Sequence, residues 1–252
     1  MIGAIIGDVV GSRFEFNNHR STDFELFHPD CDFTDDTVMT VAVADAIMNG
    51  RPFGEVMHEY GRRYPDRGYG GRFLKWLLSE CPKPYNSFGN GSAMRVSPCA
   101  LLAKGGREQA LTWAAASAVC THNHPEGIKG ALAVTDVILM AYEGVDKSVI
   151  KRNIMELYGY DLDFTIDAIR PRYLFDETCQ GSVPQAIVAF LESYDFESAI
   201  RLAVSLGGDS DTIASITGGM AEAYYGVPVA MRDRALRSLP AEMRQVVEVM
   251  YA

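Results

Sequence analysis

Glycine recurs at every fourth position in the first segment of the chain, at Gly3, Gly7 and Gly11. The apolar residues between these glycines follow the spacing of helix turns: Ile2, Ile5, Ile6, Val9 and Val10. A helix with this pattern has a strip without side chains, along which another helix can approach closely. The sequence therefore predicts an opening helix with a bare strip where another helix could approach closely.

Helical periodicity also dominates the rest of the chain, whereas alternating runs of β-branched residues are nearly absent. The segment from Thr37 to Met48 is apolar nearly all round, which is typical of a helix at the centre of a domain. Further helices are expected near residues 53–63, 72–79, 93–103, 108–120, 125–142, 147–158, 183–194, 197–206, 212–225, 230–238 and 241–250. No repeat or long linker divides the 252 residues, so we expect an all-α fold in a single domain spanning 1–252.

The charge balance argues against several classes of partner. The chain has 33 acidic and 23 basic residues and a net charge of −10, and such a surface repels nucleic-acid backbones and anionic membranes. No apolar run reaches the roughly 18 residues of a membrane span, and the first residues do not resemble a secretory signal. We therefore expect a cytoplasmic protein. Its five cysteines are odd in number and lack a CxxC pair, which favours buried free thiols over disulfides or a zinc site.

Two similar acidic segments each begin an apolar helix: Thr34–Thr37 (TDDT) and Asp209–Thr212 (DSDT). Carboxylates at a helix start are favoured by capping and by the helix dipole, and this could be their whole role. The Asp-x-Asp spacing itself is weak, because it recurs at residues 30–32 and 161–163. However, crowded and poorly solvated carboxylates need a positive partner, and oxygen-only ligands select Mg²⁺, Mn²⁺ or Ca²⁺. Spacing alone does not indicate that the two segments meet.

Other candidate residues have equally open interpretations. Glu15 follows Asp8 by seven residues, so both would share a helix face if the first helix extended that far. Otherwise Asp8 is a capping acid and Glu15 a solvated loop acid. His122 and His124 could ligate a metal, but an H-x-H before proline more often forms a loop turn. The glycine loops 68–71 and 89–92 could cradle phosphates or be ordinary turns, and neither fits a dinucleotide or P-loop fingerprint.

Taken together, the motifs resemble the ADP-ribosylglycohydrolase family, which includes the dinitrogenase reductase-activating glycohydrolase and the ADP-ribosyl-acceptor hydrolases. The matching segments occur in the family's order: GAIIGDVVGSRFEF (3–16), FTDDTVMTVAVADAI (33–47), PDRGYGGRF (65–73), SFGNGSAMRV (87–96), TH (121–122), SVPQAI (182–187) and SLGGDSDTIASITGGMAEAYYG (205–226). PDRGYG and SFGNGSAMR look most like the branch that acts on serine-linked ADP-ribose, its polymers and O-acetyl-ADP-ribose. The stretch between Ala141 and Cys179 does not obviously match.

The resemblance implies a compact orthogonal helical bundle with two divalent ions, Mg²⁺ or Mn²⁺, in a central cleft. By the motif match, the metal ligands would be Thr34, Asp35, Asp36, Asp209, Asp211 and Thr212. The catalytic acids would be Glu15, Asp35 and Asp36, with Glu15 near the scissile bond. The substrate-binding residues would be Gly68, Tyr69, Gly70, Gly71, Phe88, Asn90, Gly91, Ser92 and His122.

The implied activity is metal-dependent cleavage of the bond at C1″ of ADP-ribose. The substrates would be serine-linked or arginine-linked ADP-ribosylated proteins, O-acetyl-ADP-ribose or polymer. The alternatives are a catalytically idle ADP-ribose-binding protein, or a metal hydrolase that acts on another nucleotide. A monomer is the default expectation.

Overall fold

The computed structural model describes residues 1–104 and 106–252. Within these residues the chain forms fifteen α-helices, one 3₁₀ turn at Ser12–Phe14 and no β-strand, which confirms the predicted all-α fold. The helices are α1 (Ile2–Gly11), α2 (Asp35–Met48), α3 (Phe53–Arg63), α4 (Gly71–Leu78), α5 (Gly91–Met94), α6 (Ser97–Leu102), α7 (Arg107–Val119), α8 (Pro125–Tyr142), α9 (Lys147–Tyr158), α10 (Ile166–Ile169), α11 (Cys179–Glu192), α12 (Phe196–Ser205), α13 (Ser210–Tyr225), α14 (Val229–Ser238) and α15 (Ala241–Tyr251). Among the described residues, no helix has the length and apolar character needed to cross a membrane.

Helices α1 and α13 form the centre of the fold and touch backbone to backbone. A Cβ atom built on Gly7 would lie 2.0 Å from the carbonyl oxygen of Ala214, and one on Gly3 would lie 2.1 Å from that of Gly218. Only glycine fits at such distances, because neither backbone can rotate out of the way. The predicted glycine strip is therefore confirmed, and its partner is α13.

The remaining helices enclose this pair in one continuous hydrophobic core. Helices α8, α11 and α12 pack on α13, whereas α2 packs on α1, α3, α6 and α15. Ten of the fourteen residues of α2 are buried, so its predicted central position is also confirmed. This arrangement brings the starts of α2 and α13 to the same side of α1.

Two predicted helix boundaries are wrong, and the condition for Glu15 to share a helix face with Asp8 is not met. The single helix expected over 93–103 is two helices, α5 and α6, because Pro98 lies at the start of α6 and disfavours helical backbone before it. Helix α11 begins at Cys179 rather than near 183 and contains Pro184 in its interior. Helix α1 ends at Gly11, so Glu15 follows the 3₁₀ turn and does not continue the face of Asp8.

Candidate active site

One cavity of about 440 Å³ lies where the acidic segments and the glycine loops meet. Its walls come from the residue after the 3₁₀ turn, the starts of α2 and α13, and the segments that precede α4, α5 and α11. The lining residues are Glu15, Asp35, Asp36, Met39, Gly68, Gly70, Gly71, Arg72, Phe73, Lys75, Tyr85, Ser87, Gly89, Asn90, Gly91, Met94, Arg95, His122, Phe175, Glu177, Asp209, Asp211 and Thr212. The two acidic segments, separated by about 175 residues in sequence, thus face the same space.

Carboxylates crowd one part of this cavity. Glu15, Asp209 and Asp211 each present an oxygen atom, and these three atoms lie within 4.8 Å of one another. Across from them, Asp36 Oδ2 accepts a hydrogen bond from Thr212 Oγ1 at 3.1 Å, which joins the start of α2 to the start of α13. The other oxygen of Asp36, Oδ1, is buried without a hydrogen-bond partner. A buried carboxylate oxygen left unpaired is costly, so Asp36 is destabilised in its charged form unless a proton or a cation is supplied.

The protonation equilibria reflect this crowding. Burial, followed by the charges of neighbouring carboxylates, raises the pKa values of Asp35, Asp36 and Asp211 well above their usual range. Burial also raises the pKa of Glu15 to about 7, with further contributions from the charges of Asp209 and Asp8. Each carboxylate is therefore destabilised in its charged form unless positive charge is supplied from outside the chain.

Asp8 has a structural task next to this cluster. It is fully buried in the middle of α1, and its oxygens accept hydrogen bonds from Thr34 N at 2.9 Å, Thr34 Oγ1 at 2.7 Å and Thr37 N at 3.0 Å. Burial raises its pKa to about 6, although these hydrogen bonds act in the opposite direction. Asp8 is thus a capping acid, but the helix that it caps is α2 rather than its own helix α1.

Asn90 links the acidic cluster to the glycine loop of residues 89–92. Its Nδ2 donates to Asp209 Oδ2 at 2.6 Å and to Ser182 Oγ at 3.0 Å, while its backbone N–H donates to Glu177 O at 2.8 Å. The loop position is therefore fixed both by α11 and by the segment that precedes it. Asn90 orients an aspartate of the cluster as well as lining the cavity.

A second part of the cavity is cationic and aromatic. Arg95 is fully buried, and its Nη2 donates to Ser117 O at 2.7 Å and to Thr121 Oγ1 at 2.9 Å, while its Nε has no partner. Thr121 Oγ1 lies 2.7 Å from His122 Nδ1. The Thr121 hydroxyl has one donor and two acceptor lone pairs, so it can pair with either tautomer of the His122 ring. Burial and the charge of Arg95 lower the pKa of His122 well below its usual value, so this imidazole is neutral.

The structure separates the predicted site residues into two groups. Twelve line the cavity: Glu15, Asp35, Asp36, Gly68, Gly70, Gly71, Asn90, Gly91, His122, Asp209, Asp211 and Thr212. Four do not: Thr34, Tyr69, Phe88 and Ser92.

The contacts of those four side chains explain their positions. Thr34 faces Asp8, and Ser92 Oγ donates to the Gly127 carbonyl at 2.7 Å. The Tyr69 ring is buried against Phe73, with centroids 5.6 Å apart. Phe88 is 42% exposed and packs on the ring of His124. His124 itself caps α8 by accepting from Glu126 N, which fits its interpretation as a loop turn.

Sequence reasoning missed several cavity residues. Arg95 lies in a motif that was recognised, but a single arginine in a helical pattern gives no sign of burial. Arg72 and Tyr85 likewise lie next to recognised loops. Phe175 and Glu177 come from the stretch that matched no motif, and Phe175 stacks on the exposed ring of Phe16 at 6.4 Å.

Comparisons with known proteins place the chain in a family. A sequence model described as ADP-ribosylglycohydrolase matches residues 1–251. ADP-ribosylhydrolase ARH3 of Mus musculus is 29% identical over 308 residues, which cover 90% of this chain and 83% of that protein. ADP-ribosylarginine hydrolase Tri1 of Pseudomonas putida (strain GB-1) is 24% identical, with 90% of this chain and 70% of that protein covered. A solved structure titled "ADP-ribosylglycohydrolase-related protein complex" superposes with a TM-score of 0.74 at 25% identity, covering 99% of this chain and 96% of that one. The chain therefore belongs to the ADP-ribosylglycohydrolase family, whose members are ADP-ribosyl hydrolases.

Proposed function

We propose that this protein is a metal-dependent hydrolase that cleaves the bond at C1″ of ADP-ribose. Its substrates would be serine-linked or arginine-linked ADP-ribose on proteins, O-acetyl-ADP-ribose or ADP-ribose polymer. The observation that carries the proposal is the set of five carboxylates, Glu15, Asp35, Asp36, Asp209 and Asp211, facing one cavity that also has a cationic part.

The donor atoms fit two hard divalent cations, Mg²⁺ or Mn²⁺. The cluster offers oxygen ligands only, and Asp36 Oδ1 is buried with no hydrogen-bond partner. The residues that would hold the ions are Asp35, Asp36, Asp209, Asp211 and Thr212, with Thr34, whose hydroxyl also donates to Asp8. When bound, such ions supply Lewis-acid chemistry: they orient the ribose hydroxyls and lower the pKa of a bound water.

The protein's own acids would manage the protons of the reaction. Breaking a glycosidic bond develops positive charge on the ribose ring, which nearby carboxylates stabilise. Glu15 is half-buried at the edge of the cluster, and it or Asp35 would take a proton from water and deliver one to the leaving group. Asp36, oriented by its hydrogen bond from Thr212, would stay ionised next to the positive charge of the ions.

The other part of the cavity suits the ADP portion of the substrate. A Cβ atom built on Gly70 or Gly71 meets nothing within 4 Å, so a ligand can approach the backbone where α4 begins. Backbone N–H groups at a helix start favour phosphate. The buried charge of Arg95 favours it as well, and the neutral ring of His122 lines the same part of the cavity. Tyr69, Phe88 and Ser92 would then support these loops rather than touch the ligand directly.

A substitution pair tests the proposal against a matched control. Asp36→Asn and Asp209→Asn keep the shape of each side chain but remove a charge from the cluster, whereas Asp163→Asn does the same in an exposed Asp-x-Asp segment. We expect the first two variants to lose more than about 100-fold in hydrolysis. They should also lose the rise in melting temperature produced by Mg²⁺ or Mn²⁺, while Asp163→Asn retains both properties.

The assay also separates the candidate substrates. Serine-linked, arginine-linked and O-acetylated ADP-ribose are incubated with the protein, with and without Mg²⁺, and the products are identified by mass. Release of free ADP-ribose supports cleavage at C1″, whereas release of AMP or phosphate would contradict it. Normal turnover by Asp36→Asn would refute the metal assignment.

A further inference from the structure

A second cavity of about 420 Å³ adjoins the candidate active site. We call it the α4 groove, since α4 and the segment after it form its walls. Three cations, Arg72, Lys75 and Lys83, line it together with the aromatic residues Trp76 and Tyr85. Arg72, Lys75 and Tyr85 line the first cavity as well, so the two spaces are adjacent.

The charge of the α4 groove is opposite to that of the protein. The chain carries −10 overall, yet no aspartate or glutamate lines this groove. Within the described residues, Arg72, Lys75 and Lys83 form no ion pair with a carboxylate, although other surface cations such as Arg63 and Lys129 do. Three uncompensated cations around one concave surface favour an anionic ligand.

The α4 groove is also held in place by contacts to α3. Arg62 Nε donates to Leu77 O at 2.8 Å and its Nη2 to Ser79 O at 3.2 Å, which fixes the end of α4. Arg72 donates to the carbonyl of Tyr85 and places its guanidinium 5.0 Å from the centre of that ring. The end of α4 and Arg72 are therefore fixed without a ligand, which lowers the entropic cost of binding at this wall.

The position of the α4 groove identifies the part of a ligand that would enter it. The groove shares Arg72, Lys75 and Tyr85 with the first cavity and none of its five clustered carboxylates. In the proposed function the ribose with C1″ lies at those carboxylates. The opposite portion of ADP-ribose, the adenosine, then faces the α4 groove.

We propose that the α4 groove binds a further phosphate group attached to the adenosine end of an ADP-ribose ligand. This inference rests on the proposed function, because it assumes that ADP-ribose occupies the first cavity. The phosphate could be a 2′-phosphate on the adenosine ribose or belong to a second unit of an ADP-ribose chain. In both cases the recognised chemistry is a phosphate close to Lys75 and Lys83.

Binding measurements by calorimetry with Mg²⁺ present test the inference, and they use Glu15→Gln protein so that the dimer probe is not hydrolysed. The probes are ADP-ribose, ADP-ribose 2′-phosphate and an ADP-ribose dimer joined through the adenosine ribose. We expect at least one phosphate-extended probe to bind about tenfold more tightly than ADP-ribose at low salt, because a dianion meets several cations. This gain should shrink as ionic strength rises.

Variants then locate the contact. Lys83→Gln should leave the affinity for ADP-ribose unchanged and reduce the gain in affinity of the phosphate-extended probe at least threefold. Combining Lys75→Gln with Lys83→Gln should abolish this gain. Lys151 lies on α9 and lines neither cavity, so Lys151→Gln should keep the full gain in affinity. The probe that shows the gain, 2′-phosphate or dimer, identifies the source of the phosphate.

Two failures are distinguishable. If ADP-ribose itself does not bind, the proposed function fails. If ADP-ribose binds but neither extended probe binds more tightly, or if the gain survives in the double variant, the α4 groove is not a phosphate site.

Discussion

Replacing Gly7 by alanine tests how strongly the fold depends on the α1–α13 crossing. The new Cβ atom would lie 2.0 Å from Ala214 O and 2.6 Å from Ser215 N, and both are backbone atoms. To reach an acceptable contact the two helices must separate by about 1 Å, which sacrifices a quarter to a half of the dispersion attraction between the atoms that part.

The magnitude follows from two opposing terms. Overpacking in a rigid interior costs about 1–3 kcal/mol and occasionally more, and this site is at the upper end because no side-chain rotation relieves the clash. Alanine regains about 1 kcal/mol of helix propensity over glycine. We expect a net loss of about 2–3 kcal/mol in the free energy of unfolding, which lowers the melting temperature by roughly 5–10 °C in a chain of this size.

Thermal and urea unfolding followed by circular dichroism measure this loss. Gly54→Ala in α3 is the matched control, because its Cβ would lie 3.4 Å from Cys120 Cβ, an ordinary contact, and should leave the melting temperature unchanged or raised. The separation would also displace the start of α13, so Gly7→Ala should weaken the stabilisation by Mg²⁺. A Gly7→Ala protein that melts at or above the wild-type temperature would refute the close-approach argument.

Two further predictions concern charged groups. Lys147 Nζ lies within 2.6–3.2 Å of three carbonyl oxygens at and just after the C-terminal end of α11, so Lys147→Met should cost about 3 kcal/mol in unfolding experiments. Lys151→Met removes only a pair with an exposed aspartate and should cost less than about 1 kcal/mol, and equal costs would contradict this explanation. In metal-free protein the folded-state pKa values of Glu15 (about 7) and Asp8 (about 6) exceed their ordinary values, so their contribution to stability is present at low pH and lost as pH rises through 6–7. Melting in EDTA should therefore occur at a higher temperature at pH 5 than at pH 8, and Mg²⁺ should remove this difference, whereas a flat profile without metal would contradict it.

The features predicted well from the sequence are those that depend on local patterns. The glycine strip of α1 is periodic within a single helix, and its consequence, close approach to another helix, needs no knowledge of the rest of the chain. The apolar character of α2 likewise indicates its central position by itself. The predicted helix boundaries were wrong where the effect of a proline depended on its context. Pro98 marks the start of a new helix, whereas Pro184 lies inside one.

The candidate site could be predicted less well from the sequence, because it depends on residues that are distant in sequence and close in space. Spacing could not indicate that Asp36 and Thr212 are hydrogen-bonded across 176 positions, and only the family resemblance suggested their convergence. Arg95 could not be identified as a buried cation, since its burial depends on α7 and on the segment after it. Phe175 lies at the cavity through a stretch without any recognisable pattern.

The separation of charges inside the cavity gives the acidic excess of the chain a more specific meaning. A net charge of −10 should disfavour the binding of an anionic diphosphate. However, the five carboxylates of the cavity are concentrated where divalent cations would neutralise them. The α4 groove retains three cations without carboxylate partners on the side where an ADP-ribose ligand would extend. A phosphate-bearing substrate would therefore meet positive charge at both ends, from the bound metal at one and from the protein itself at the other. Removal of the metal should weaken ADP-ribose binding far more than it weakens the additional contribution from a phosphate in the α4 groove.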